Sequence, residues 1–139
     1  MMKRYTIWPN AKRGETGADT VADAPLSWYH HKAMITEEIK RITEKIKEAL
    51  DPERIYLFGS YARNEETEKS DYDFYVVVDE EKGNPLLLCD KAYSAIFDIQ
   101  EKPCDVIVNH KSKFDIRKYR PTLEKTVANE GVLLYEKRS

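Results

Sequence analysis

The sequence predicts a small α/β domain, and three observations carry that expectation. Isoleucines recur at helical spacing between residues 35 and 50. Two β-branched runs each open on aspartate, Asp71-Tyr72-Asp73 ahead of Phe74–Val78 and Asp105 ahead of Val106–Val108, and a third apolar run, Ile55–Phe58, leads straight into Gly59-Ser60. At 139 residues the chain suits one hydrophobic core and one site.

Residues 1–26 hold Gly14, Thr16, Gly17, Thr20 and scattered charge with no sustained period, beyond a Tyr5-Thr6-Ile7-Trp8 cluster before Pro9. A loosely ordered arm is expected there, with the domain proper over 27–139. Trp8 reads equally as an anchor and as an aromatic packed on the surface. A helix is expected from Ser27 or Thr36, either of which suits an N-cap, to Leu50: Ile35, Ile39, Ile42, Ile46 and Leu50 form its apolar stripe, and Asp51-Pro52 ends it. His30 and His31 are adjacent and leave a helix in different directions, so they read as surface or packing residues rather than a metal pair.

Beyond Asp79 a hinge over Glu80–Pro85 precedes a helix predicted for Leu86–Gln100, with Leu88, Ala92, Ile96 and Ile99 inward and Pro103 as its stop. The Asp105 strand follows. Lys111–Arg120 reads as a polar connection, Pro121 as the opening of a helix to Glu130, Gly131 as its close, and Val132–Tyr135 as a last strand.

Charged residues make up 35% of the sequence but balance to a net charge of −2, which gives no basic footprint for general nucleic-acid binding and argues against a polymerase working on long DNA. Cys89 and Cys104 have neither zinc spacing nor a disulfide framework and are expected as buried, reduced thiols, consistent with cytoplasm. No apolar signal core follows Met1-Met2-Lys3-Arg4, and Leu86-Leu87-Leu88 is far too short to cross a bilayer, so no membrane role is expected.

The chemistry concentrates in Ile55–Asp79. Gly59-Ser60 must turn the chain sharply and expose N–H groups at the start of a helical turn over Tyr61–Asn64, which suits an anion; Ser60 adds a hydroxyl and Arg63 a permanent charge matched to phosphate oxygens. Strand alternation puts Asp71 and Asp73 on one face, where two hard oxygen donors suit Mg²⁺. Alone, the first motif is also an ordinary strand-to-helix turn and the second a solvated turn. Together they place a phosphate loop opposite a metal strand.

This constellation, Gly59-Ser60-Tyr61-Ala62-Arg63-Asn64 followed by Ser70-Asp71-Tyr72-Asp73 and an apolar strand, resembles the DNA polymerase β-like nucleotidyltransferase superfamily and within it the minimal nucleotidyltransferase (MNT) branch. The closing helix, Glu130-Gly131 and strand ending Tyr135-Glu136 resemble that branch too. One position departs from the pattern: Asn64 stands where the family usually has glycine.

The resemblance implies a small nucleotidyltransferase fold, a short mixed sheet packed against helices. It implies a third carboxylate heading a later strand, for which Asp105 fits better than Asp79, Asp90, Asp98 or Asp115. Asp71, Asp73 and Asp105 would then be the catalytic metal ligands for Mg²⁺ or Mn²⁺, with Gly59, Ser60, Arg63 and Ser70 holding the NTP, expected to be ATP. The implied reaction moves a nucleoside monophosphate to a hydroxyl acceptor. In the MNT branch that acceptor is in some cases a tyrosine of a HEPN-domain toxin, which makes the protein an antitoxin. Neutralising such a partner by contact alone is a different class of answer, and antibiotic modification a further one. A homo-oligomer is compatible with all three.

Overall fold

A computed structural model describes residues 35–138. The expected arm, Ser27 as a cap, His30, His31, Trp8 and Trp28 all lie outside the described residues. Helix α1 (Glu37–Leu50) opens at Thr36, whose hydroxyl accepts from the Ile39 N–H at 3.1 Å, with Glu37 and Glu38 favourably placed in its first turn. It ends where Asp51 enters the left-handed region at φ 48°, donating its N–H to Lys47 O ahead of Pro52.

Strand β1 (Arg54–Phe58) pairs antiparallel with β2 (Tyr72–Val78), and β2 pairs in parallel with β3 (Cys104–His110). The parallel pair needs a crossover. It is supplied by a short 3₁₀ turn at Glu80–Lys82 and by α2 (Pro85–Ile96), capped by the Asn84 side chain at the Leu86 N–H. Strand β4 (Val132–Glu136) adds antiparallel to the other side of β1, so the mixed sheet runs β3-β2-β1-β4.

Helices α1 and α2 cover one face of the sheet. There Tyr72, Phe74, Val76 and Val78 of β2 join Ile39, Ile42, Ile46, Ala92 and Ile96 in the main core. The opposite face buries Tyr75 and Val77 under Phe114 and Val127, which belong to α3 (Lys111–Arg117) and α4 (Leu123–Glu130). Being covered on both faces, β2 must be almost continuously apolar beyond Asp73, which is how its sequence reads.

Some boundaries differ from expectation. Residues 111–117, expected as a connection, are helical: seven residues are too few to show a period, and a single aromatic anchors them, Phe114, with ring centroids 5.6 Å from Tyr56 and 5.4 Å from Tyr75. The next helix starts at Leu123 rather than Pro121, because Thr122 supplies the cap, accepting from Lys125 N–H. Helix α2 stops at Ile96, and Ile99 and Gln100 donate back to Ile96 O in the turns that follow. Cys104 is buried and Cys89 half-buried, both as free thiols, and burial pushes the Cys104 thiol up to about 12. Among the described residues no helix is long and apolar enough to cross a membrane.

Candidate active site

The site lies at the sheet edge where β1 ends and β2 and β3 begin. Register brings its parts together: Phe58, the residue before Gly59, pairs with Asp73, and Asp73 pairs across the parallel ladder with Asp105. Gly59 is at φ +77°, a region that costs other residues about 1–2 kcal/mol, and a β-carbon there would collide with Asp73 Oδ2 and stand 3.1 Å from Asp73 Cγ. Only glycine lets that carboxylate lie over the turn.

The Gly59–Asn64 segment makes one tight turn, in which Ala62 and Arg63 donate their N–H groups to Gly59 O at 3.0 and 3.1 Å, and Glu65 donates to Ser60 O at 2.9 Å. The N–H groups of Ser60 and Tyr61 find no acceptor among the described residues. Asn64 takes φ 62°, a left-handed conformation that asparagine tolerates better than most side chains. Arg63 is exposed, and its Nε donates to Glu65 Oε1 at 2.9 Å. Ser70 closes the following loop, its Oγ accepting from the Thr67 N–H at 2.8 Å.

Burial and the neighbouring carboxylate of Asp105, assisted by Asp71 and opposed by Arg63, push the Asp73 carboxyl up to about 6. Asp73 and Asp105 stand side by side across the parallel ladder, and Asp71, exposed like Asp105, lies just ahead of β2. Among the described residues, no three His, Cys, Asp or Glu side chains gather tightly enough to hold a metal ion together. The donor set nonetheless fits a hard divalent cation. Paired carboxylate oxygens are what Mg²⁺ takes from a protein before water and phosphate complete its shell, and a cation between them relieves the repulsion that raises Asp73.

Behind this pair lies a layer of residues that sequence reasoning passed over. Glu38, buried in the first turn of α1, accepts from the Tyr72 hydroxyl at 2.8 Å and from the main-chain N–H groups of Glu101 and Lys102. Lys102 Nζ donates to Glu68 O at 2.9 Å and to Ser70 O at 3.4 Å. A signal for Glu38 was present: it falls between Ile35 and Ile42 on the apolar stripe, where a carboxylate needs buried partners.

The family described as "Polymerase beta, Nucleotidyltransferase" matches residues 37–139. The chain therefore belongs to the DNA polymerase β-like nucleotidyltransferases. A candidate nucleotidyltransferase from Sulfolobus solfataricus has a similar fold, with a TM-score of 0.52 at 19% identity over 83% of this chain and 92% of that one. A toxin-antitoxin structure with AMP-PNP aligns with a TM-score of 0.48 at 21% identity, over 74% of this chain and 76% of that chain. No protein of curated function matches the sequence significantly.

Proposed function

We propose that the chain is a metal-dependent nucleotidyltransferase of the MNT branch that moves AMP from ATP to a protein hydroxyl, a tyrosine of a HEPN-type toxin, and so acts as an antitoxin. The observation that carries this reading is the pairing of Asp73 with Asp105 directly over the Gly59 turn. Asp71, Asp73 and Asp105 would hold Mg²⁺ or Mn²⁺, which when bound neutralises the triphosphate and lowers the pKa of the acceptor hydroxyl. Ser60 and Tyr61 N–H groups, Arg63 and Ser70 bind and orient the β- and γ-phosphates. Asp105, exposed at its strand head, takes the acceptor's proton. The acceptor oxygen bonds to the α-phosphorus, the bond to pyrophosphate breaks, and the negative charge passes to the departing pyrophosphate held by the loop.

A macromolecular acceptor suits the surface of α2, where Leu86, Leu87 and Phe97 just beyond it are 75%, 67% and 76% exposed. The same surface favours a second reading in which the protein neutralises its partner by contact. Co-expression with a HEPN-type toxin separates the two. Transfer adds one AMP to the toxin by intact-mass spectrometry and stops in Asp71→Asn/Asp73→Asn. A toxin that stays unmodified yet is fully neutralised by that double variant sinks the enzymatic reading.

A further inference from the structure

We infer that Glu38 is a positioning residue for the nucleotide site, setting the separation of Asp73 and Asp105 from behind the sheet. The inference rests on the metal-dependent reading proposed above. Glu38 reaches the heads of both carboxylate strands with its two oxygens. Oε1 accepts from Tyr72, which stands between Asp71 and Asp73 and points to the opposite face from them. Oε2 accepts from the N–H groups of Glu101 and Lys102, the latter at 3.1 Å, in the segment that runs through Pro103 and Cys104 into Asp105.

The Tyr72 N–H also donates to Pro103 O at 3.1 Å. One buried carboxylate therefore spans the two strands at the level where their register sets Asp73 beside Asp105. The phosphate loop joins the same unit, because the Tyr61 ring lies 4.8 Å from that of Tyr72 and Lys102 ties the segment to Ser70 O.

Only a carboxylate fits this place. Three donors converge on two oxygens, and a glutamine would turn its amide NH₂ against one side of the clamp while keeping the volume. Glu38→Gln thus loosens one arm, and Tyr72→Phe removes only the hydroxyl arm. A loosened clamp lets the carboxylates drift, which penalises Mg²⁺ more than Ca²⁺, since Mg²⁺ demands near-ideal octahedral geometry and Ca²⁺ accepts irregular shells.

The test is calorimetric titration of the full chain with Mg²⁺·ATP and with Ca²⁺·ATP. Glu38→Gln is expected to lose Mg²⁺·ATP affinity about tenfold or more, the usual scale for residues that orient metal ligands, with a clearly smaller change for Ca²⁺·ATP. Tyr72→Phe is expected to change in the same direction by less, and it decides the matter where Glu38→Gln does not fold. Glu124→Gln, at a glutamate that is also buried but on the other face, is expected to change neither affinity. Folded Glu38→Gln and Tyr72→Phe proteins that keep wild-type affinities, or that lose both metals' complexes alike, overturn the positioning role alone. Wild-type protein that binds neither complex overturns the nucleotidyl-transfer reading and this inference together.

Discussion

Strand β2 offers two tyrosines three residues apart, Tyr72 and Tyr75, and strand alternation sends them to opposite faces. Each donates its hydroxyl to a buried glutamate, Tyr72 to Glu38 at 2.8 Å and Tyr75 to Glu124 at 2.6 Å. The difference lies in what else each carboxylate holds. Glu124 takes its second bond from Arg117 Nε at 2.9 Å, a side chain that is 43% exposed, so this network joins α3 and α4 to the middle of the sheet and has access to water. Glu38 takes its other bonds from main-chain N–H groups at the approach to β3. The same pair of residue types thus braces a helical layer on one face and two strand heads on the other, and only the second has a lever on the site.

The largest effect should follow from removing each carboxylate outright. Glu38→Ala takes the acceptor from three neutral donors, the buried Tyr72 hydroxyl and two part-buried main-chain N–H groups, and is expected to cost about 2–4 kcal/mol, since a buried donor left without a partner costs about 1–3 kcal/mol. Glu124→Ala is expected to cost about 1–3 kcal/mol, because Arg117 can turn to solvent and the Tyr75 hydroxyl alone is orphaned. Urea denaturation of both variants measures the gap. Equal losses, or the reverse order, would break the contrast between the two faces.

Next comes Gly59→Ala, which attacks the site from the front as Glu38 variants do from behind. The left-handed backbone alone costs about 1–2 kcal/mol, and the added carbon must also displace Asp73. A smaller stability loss than for Glu38→Ala is therefore expected, with a loss of Mg²⁺·ATP affinity at least as large as for Glu38→Gln. A variant that binds the nucleotide normally would show that the carboxylate need not lie over the turn.

A third, gentler effect is in the acid range. Burial works to raise the Glu124 carboxyl, but hydrogen bonds from Tyr75 and Arg117 outweigh it and hold the group below the ordinary glutamate range. A carboxyl depressed in the folded state contributes stability in full above its unfolded pKa and loses it as pH falls through the folded value. Between about pH 5 and pH 3 the wild-type protein should therefore lose stability more steeply than Glu124→Gln, as followed by chemical denaturation at stepped pH. Parallel curves would mean that the network does not discriminate charged from neutral carboxyl.

What could be read from the sequence follows from how each feature is encoded. The apolar stripe of α1, the turn at Gly59-Ser60 and the aspartates heading β2 and β3 are local patterns, whereas the parallel register that sets Asp73 beside Asp105 is a long-range pairing that neither β-branched run encodes by itself. Helix α3 was not legible, because it is held by Phe114 against Tyr56 and Tyr75, residues far away in the chain. Glu38 was half legible. Its place on an apolar face signalled a buried partner, but the partners are 34, 63 and 64 residues away and two of the three donors are main-chain groups, which carry no side-chain signature.

The smallest effect on stability belongs to Arg63. Its side chain is exposed, its contact with Glu65 is a surface ion pair, and the main-chain bond from its N–H to Gly59 O survives any substitution except proline. Arg63→Ala should therefore melt with the wild-type protein while losing Mg²⁺·ATP affinity on the order of tenfold, as expected for one charge-assisted phosphate contact. Salt then separates this loss from the one at Glu38. A rim charge is screened over a Debye length of about 8 Å at physiological ionic strength, so the difference between wild type and Arg63→Ala should shrink as salt rises. The Glu38→Gln deficit should persist, because a buried clamp acts through the placement of Asp73 and Asp105 rather than through an exposed field. If Arg63→Ala instead unfolds, and its folded fraction binds the nucleotide normally, the Arg63–Glu65 pair is a structural tie and the phosphates lie elsewhere on the loop.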